Sequence, residues 1–147
     1  MRKSCWQQED SRMKVLFVCT GNTCRSPLAE KILQNLRPDL DVRSAGTRAL
    51  DGDAISENSR QILAQMNLPT THQAKKVKKA DIDWADQIYV MTQNHQAELK
   101  SLFPKASDKI QLISEDKTDI PDPYGGSIEQ YEITYYELKS AISERFL

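Results

Sequence analysis

Val15-Leu16-Phe17-Val18-Cys19-Thr20-Gly21-Asn22-Thr23-Cys24-Arg25-Ser26-Pro27 runs from an unbroken apolar stretch, through a polar turn, into the opening of a helix. The apolar part mixes β-branched and aromatic residues without polar alternation, as a strand buried on both faces requires. Proline suits the first turn of a helix, where its missing N–H costs nothing. Leu28, Ile32, Leu33 and Leu36 then recur at helical spacing until Pro38 stops the helix.

The same alternation recurs downstream. Asp41 to Ser44 is a weaker strand candidate, and Ile55, Ser59, Ile62, Leu63 and Met66 suggest a second helix. Ile88-Tyr89-Val90-Met91 is another buried strand, followed by Thr92 as a cap for a helix carrying Leu99, Leu102 and Phe103. Ile110 to Ile113 gives a further strand. Ser127 with Gln130 forms a capping box ahead of an apolar stripe of Ile128, Tyr131, Tyr135, Leu138, Ile142 and Phe146. Strands alternating with helices predict an α/β fold, a parallel sheet with helices on both faces. Ligands of such sheets bind beyond the carboxyl ends of the strands, where the loop after Val18 lies.

At 147 residues the chain fits one domain of roughly 100–200 residues. The expected division is a flexible extension over residues 1–12, with Met13 as a candidate initiator, and a single domain over 13–147. Apolar residues make up 39% and charged ones 28%, a globular composition, and no apolar run is long enough to span a bilayer. A net charge of −1 gives no global pull toward nucleic acid or anionic lipid, so any affinity for phosphate must be local. Three cysteines do not make a secreted disulfide framework, and the first ten residues lack the apolar core of a signal peptide. The expected location is therefore the cytoplasm, with no membrane or nucleic-acid partner.

The loop from Cys19 to Ser26 is built as an anion cradle. Successive N–H groups turn inward between strand and helix, and the helix N-terminus adds about half a positive charge. Gly21 and Asn22 tolerate the dihedrals such a nest demands. Arg25 offers a planar fork to two phosphoryl oxygens, and the field that holds phosphate would also hold Cys19 as a thiolate. Ser26 can donate to that sulfur. Thr20, Thr23 and Cys24 complete the phosphate-binding loop. A nucleotide P-loop is excluded because its lysine is missing. A zinc site from Cys19 and Cys24 would have only His72 and His95 to add.

A thiolate attacking a phosphate ester needs an acid for the leaving group and then a base for water. Asp122, in Ile120-Pro121-Asp122-Pro123-Tyr124-Gly125-Gly126, can serve as both; an Asp-Pro pair is equally a plain turn. The run Lys75-Lys76-Val77-Lys78-Lys79 reads as a solvated face.

With these motifs, the sequence closely resembles the low-molecular-weight protein tyrosine phosphatase family from Lys14 to the last helix. The C-x5-R-S-P loop and the late Asp-Pro loop carry the resemblance. It implies a single domain with a four-stranded parallel sheet, no cofactor or metal, and a two-step reaction through cysteinyl phosphate that releases inorganic phosphate. It implies Cys19 as nucleophile, Arg25 as clamp and Asp122 as general acid. It also implies that Asn22, Ser26, Ser44 and His72 hold the loop taut. Cys24 matches a second loop cysteine that can pair reversibly with Cys19 under oxidation; a small buried hydrophobe fits it equally well. A monomer acting on phosphorylated proteins is expected.

Thr23 and Tyr124 bear on substrate choice. Tyrosine-specific members usually carry isoleucine at the position of Thr23, whereas bacterial protein-arginine phosphatases resemble this chain in the C-T-G-N-T-C-R-S loop and the D-P-aromatic-G-G-S segment. A threonine hydroxyl can engage a guanidinium, and a site that hydrogen-bonds its substrate rejects apolar analogues. Phosphoarginine is slightly favoured over phosphotyrosine, with a strict tyrosine phosphatase as the alternative. A thiol-dependent arsenate reductase would need further relay cysteines, and only Cys5 lies outside the loop. A non-catalytic phosphoprotein-binding module would need neither Cys19 nor Asp122.

Overall fold

The computed structural model describes residues 12–147, so the expected leader, with its Cys5, lies outside the described residues except for Arg12. The Arg12 guanidinium donates to the carbonyls of Asp39 and Leu40 at 3.3 and 3.1 Å. The chain is thus already fastened one residue before the boundary expected at Met13.

The elements follow in the order β1 (Lys14–Cys19), α1 (Arg25–Leu36), β2 (Asp41–Gly46), α2 (Glu57–Gln65), α3 (Lys79–Trp84), β3 (Gln87–Val90), α4 (Gln93–Leu102), a 3-10 helix (Pro104–Lys109), β4 (Ile110–Leu112) and α5 (Ile128–Phe146). The four strands form one sheet in the order β2-β1-β3-β4, parallel throughout. Val15 and Phe17 face a core shared with α1, α2 and α5, while Leu16 and Val18 face one shared with α3 and α4. This two-sided burial is why the β1 sequence shows no polar alternation. Phe17 is fully buried, and truncating such a ring to alanine costs about 3–5 kcal/mol.

From β1 the chain crosses through α1 to β2 on one side, and from β3 it crosses through α4 to β4 on the other. The connections part between β1 and β3, and a crevice opens there at the carboxyl ends of the strands.

Three local features differ from the sequence reading. Helix α3 and the 3-10 helix are too short to show a period. The lysine run does expose Lys76, Lys78 and Lys79, but its backbone extends the sheet edge: Gly46 N–H donates to the Lys75 carbonyl at 2.8 Å, and Val77 N–H to the Gly46 carbonyl at 2.9 Å. Lys75 also pairs with the buried Asp81, whose second oxygen accepts the Lys78 N–H at 2.9 Å and so starts α3. Finally, Ser127 Oγ accepts the Gln130 N–H at 3.4 Å, but no return bond from the Gln130 side chain to Ser127 accompanies it among the described residues. Half of the capping box is formed. No helix among the described residues is long and apolar enough to cross a membrane.

Candidate active site

Helix α1 begins at Arg25 with no side-chain cap on its N-terminus and no acidic residue in its first turn. Its first amides therefore keep their partial positive charge for a ligand. Ahead of it, the amides of Gly21, Asn22, Thr23 and Cys24 donate to no protein acceptor among the described residues. The loop encloses a pocket of about 230 Å³, walled by Cys19, Thr20, Gly21, Thr23, Cys24, Arg25, Asp122 and Tyr124. Every proposed catalytic side chain, both selectivity residues and most of the loop meet there.

Cys19 ends β1, buried, with its Sγ 2.9 Å from Ser26 Oγ. The direction of that hydrogen bond follows from its neighbours. Asn22 Nδ2 donates to Ser26 Oγ at 2.7 Å, so the serine's own proton is left for the sulfur. The same amide group donates to Ser44 Oγ at 2.9 Å, and Ser44 Oγ donates to Glu30 Oε1 at 2.7 Å. Asn22 Oδ1 accepts the Lys75 N–H at 2.9 Å, and the Asn22 carbonyl accepts from His72 Nε2 at 2.7 Å. Asn22 takes up φ of 56°, a left-handed conformation that asparagine tolerates better than most residues. Asn22, Ser26, Ser44 and His72 therefore form one network around the loop.

The end of β2 braces the other side. Thr47 and Arg48 donate their N–H groups to the carbonyls of Cys19 and Thr20, both at 2.9 Å. Gly46 lies so close that an added Cβ would meet the Thr20 carbonyl oxygen at 2.4 Å and the Asn22 nitrogen at 2.9 Å. Only glycine fits that approach.

Arg25 is buried. Its Nη1 donates to the Ile120 carbonyl at 3.0 Å, Nη2 lies 3.7 Å from Asp122 Oδ2, and Nε is buried with no acceptor among the described residues. Asp122 is half exposed at the rim and accepts the Tyr124 N–H at 3.0 Å. Tyr124 is 79% exposed, and among the described residues the Thr23 hydroxyl has only a weak 3.8 Å contact with Cys24 Sγ. Cys24 is a free cysteine whose burial agrees with the reading as a small buried hydrophobe. Its sulfur is buried 3.5 Å from the Tyr131 hydroxyl, yet the residue also lines the pocket. Burial, and then Cys24 itself, push the Tyr131 hydroxyl up to about 12.

The sequence reading did not place Glu30, the Gly46–Arg48 segment, the Lys75 amide, the Ile120 carbonyl or His95 at this site, the last having been weighed only as a zinc ligand. Glu30 left a signal, an acid four residues after Ser26 and next to Ala29 on the buried side of α1. His95 left none, because its place depends on strand order. It lies at the start of α4, beyond β3, with Nε2 2.7 Å from Thr20 Oγ1. Burial and then the Arg25 charge lower its pKa to about 4.

A larger depression of about 690 Å³ lies between α5 and the 114–120 segment. Its walls carry Asp116, Glu129, Glu132, Glu137 and Glu144, with no cation or thiol, so it repels phosphate. No three His, Cys, Asp or Glu side chains are grouped to hold a metal ion among the described residues.

The family described as Low molecular weight phosphotyrosine protein phosphatase matches residues 14–146. The chain is 40% identical over 134 residues to a protein-arginine-phosphatase of Geobacillus stearothermophilus, covering 88% of this chain and 90% of that one. It is 39% identical over 134 residues to the low molecular weight protein-tyrosine-phosphatase PtpB of Staphylococcus epidermidis, covering 90% and 96%. Among solved structures, the YwlE arginine phosphatase from Geobacillus stearothermophilus superposes with a TM-score of 0.87 at 37% identity, covering 90% of each chain.

Proposed function

The chain belongs to the low molecular weight phosphotyrosine protein phosphatase family and is a protein phosphatase, and on that premise we propose a two-step reaction through cysteinyl phosphate, with phosphoarginine slightly favoured over phosphotyrosine. The observation that carries this reading is one small pocket holding the Cys19 sulfur, the Arg25 fork and the Asp122 carboxyl together.

In the first step the Cys19 thiolate attacks phosphorus. The bond from phosphorus to the side-chain oxygen or nitrogen breaks, and Asp122 protonates the leaving atom. The loop amides and the Arg25 fork, including its unpaired Nε–H, take the charge gathering on the equatorial oxygens. In the second step ionised Asp122 takes a proton from water. The water oxygen bonds to phosphorus, the sulfur leaves with the Ser26 hydroxyl donating to it, and inorganic phosphate departs. All of these groups come from one chain, which supports a working monomer. Free Cys19 and Cys24 suit the reducing cytoplasm, and after exposure to peroxide Cys24 would supply the second sulfur of a reversible disulfide.

The substrate preference rests on Thr23. Its hydroxyl has no strong partner among the described residues and can turn to a guanidinium nitrogen, where an alkyl side chain could only pack against a ring. The near-equal identities to an arginine phosphatase and a tyrosine phosphatase leave the choice to that residue. The exposed Tyr124 ring favours the alternative, a strict tyrosine phosphatase, because it offers a flat wall to a phenyl group.

The test compares phosphoarginine and phosphotyrosine peptides on the native chain and on Thr23→Ile. The ratio should swing toward phosphotyrosine by about tenfold or more. An unchanged ratio refutes the role of Thr23. Hydrolysis that survives Cys19→Ser refutes the cysteinyl-phosphate route itself.

A further inference from the structure

His95 is buried against the wall of the pocket, and the two-step reaction gives it no task. Its backbone N–H donates to the Thr92 hydroxyl at 3.1 Å, which fixes it in the first turn of α4. Its Nε2 lies 2.7 Å from Thr20 Oγ1, and its Nδ1 is buried with no partner among the described residues. The charges facing it are Arg25 from α1, Asp119 and Asp122 from the segment before α5, and Glu98 from its own helix.

Three proton arrangements are open to the ring. The imidazolium would bury an Nδ1–H with no acceptor, beside the Arg25 charge. The neutral Nδ1–H form buries the same unpaired donor. The neutral Nε2–H form leaves only a lone pair unmatched, a milder defect than an orphaned N–H. In that form the ring donates to Thr20 Oγ1, so the threonine cannot spend its own proton on the histidine. Thr20 Oγ1 has no other partner among the described residues, and Thr20 lines the phosphate pocket.

We propose that His95, as the neutral Nε2–H tautomer, is a positioning residue that turns the Thr20 hydroxyl into a hydrogen-bond donor for a phosphoryl oxygen, a role that rests on the phosphatase reading given earlier. The low pKa of about 4 agrees with a ring that stays neutral wherever the enzyme works. Thr20 thereby joins the amide ring and Arg25 as a donor, and His95 touches no substrate atom.

Nitrogen-15 NMR of the native enzyme reads the tautomer directly. The Nε2–H signature should persist from pH 8 to pH 5; an Nδ1–H or charged ring in that range overturns the proposal. Kinetics with an aryl phosphate, and binding of inorganic phosphate, read the consequence. Thr20→Val should lower kcat/KM and phosphate affinity by about tenfold or more. His95→Leu should show a similar loss in the native background and little further loss beside Thr20→Val, whereas His95→Gln, whose amide still donates, should recover most of it. Equal losses from His95→Leu in both backgrounds, or an unaltered Thr20→Val enzyme, overturn it. Cys19→Ser, run alongside, separates failure of this role from failure of the reaction scheme.

Discussion

Replacing Asn22 by alanine attacks the point where the loop network converges. The side chain makes three hydrogen bonds, to Ser26 Oγ, Ser44 Oγ and the Lys75 N–H. A buried hydrogen bond is worth about 1 kcal/mol net, and more when its partner is left unsatisfied. Holding alanine at φ of 56° adds roughly 1–2 kcal/mol of backbone strain. The sum is about 4–5 kcal/mol, a large share of the roughly 5–15 kcal/mol that stabilises a typical domain. Urea unfolding followed by tryptophan fluorescence measures it, with aryl phosphate hydrolysis as the second readout. Asn22→Gly loses the same bonds without the strain and should be milder than alanine by roughly 1 kcal/mol. Asn22→Asp keeps an acceptor for the Lys75 N–H but loses the donor to Ser26 and Ser44, whose own protons go to Cys19 and Glu30. It should therefore cost stability as well as phosphate binding, because it buries a negative charge in the cradle. A loss under about 1 kcal/mol in Asn22→Ala, or equal losses in the alanine and glycine variants, would refute the reasoning.

Gly46→Ala should push the Thr20 and Asn22 backbone aside and cut kcat/KM on the order of a hundredfold; unaltered kinetics would show that the loop can yield there. Asp122→Ala should slow turnover by about 10²–10⁴-fold for substrates with poor leaving groups and far less for good ones, and a uniform loss across a leaving-group series contradicts the acid role. Stability should also fall in mild acid. The folded His95 pKa is about 4 against 6.5 unfolded, so between those values the unfolded chain binds more protons. The contribution is intact above pH 6.5 and declines by up to about 3 kcal/mol as pH falls to 4. Urea midpoints should trace that slope in the native protein and flatten in His95→Gln.

The sequence held most of the frame and the part of the site that is local in the chain. β1, the loop and the start of α1 are contiguous, so Cys19, Asn22, Arg25 and Ser26 could be assigned from spacing and residue chemistry. Asp122 was a candidate by chemistry, and its place opposite Arg25 emerges only when β4 delivers the acid loop to the same rim. His95 and the Ile120 carbonyl were invisible for a related reason: they reach the pocket because β3 and β4 stand beside β1, and strand order is not written in local periodicity. The Lys75 amide was hidden differently. The lysine run shows a solvated face in its side chains, while its backbone does the bracing. Ser44 and His72 were reached only through the family resemblance, since neither carries a local pattern of its own.

The braces of the loop that carries the proposed nucleophile are spread along the chain at Ser44, His72, Lys75, His95 and Ile120, and during translation they leave the ribosome in that order. At roughly 5–20 residues per second, about 5–20 seconds separate the emergence of Cys19 from that of Asp122. Throughout that interval the growing polypeptide carries Cys19 on an unsupported turn, without Arg25 tethered to Ile120 and without Asp122, the proposed proton donor. On the proposed mechanism, a chain stalled or cut short before Asp122 should be inert toward phosphoproteins, because the sheet would close before its proton donor is made.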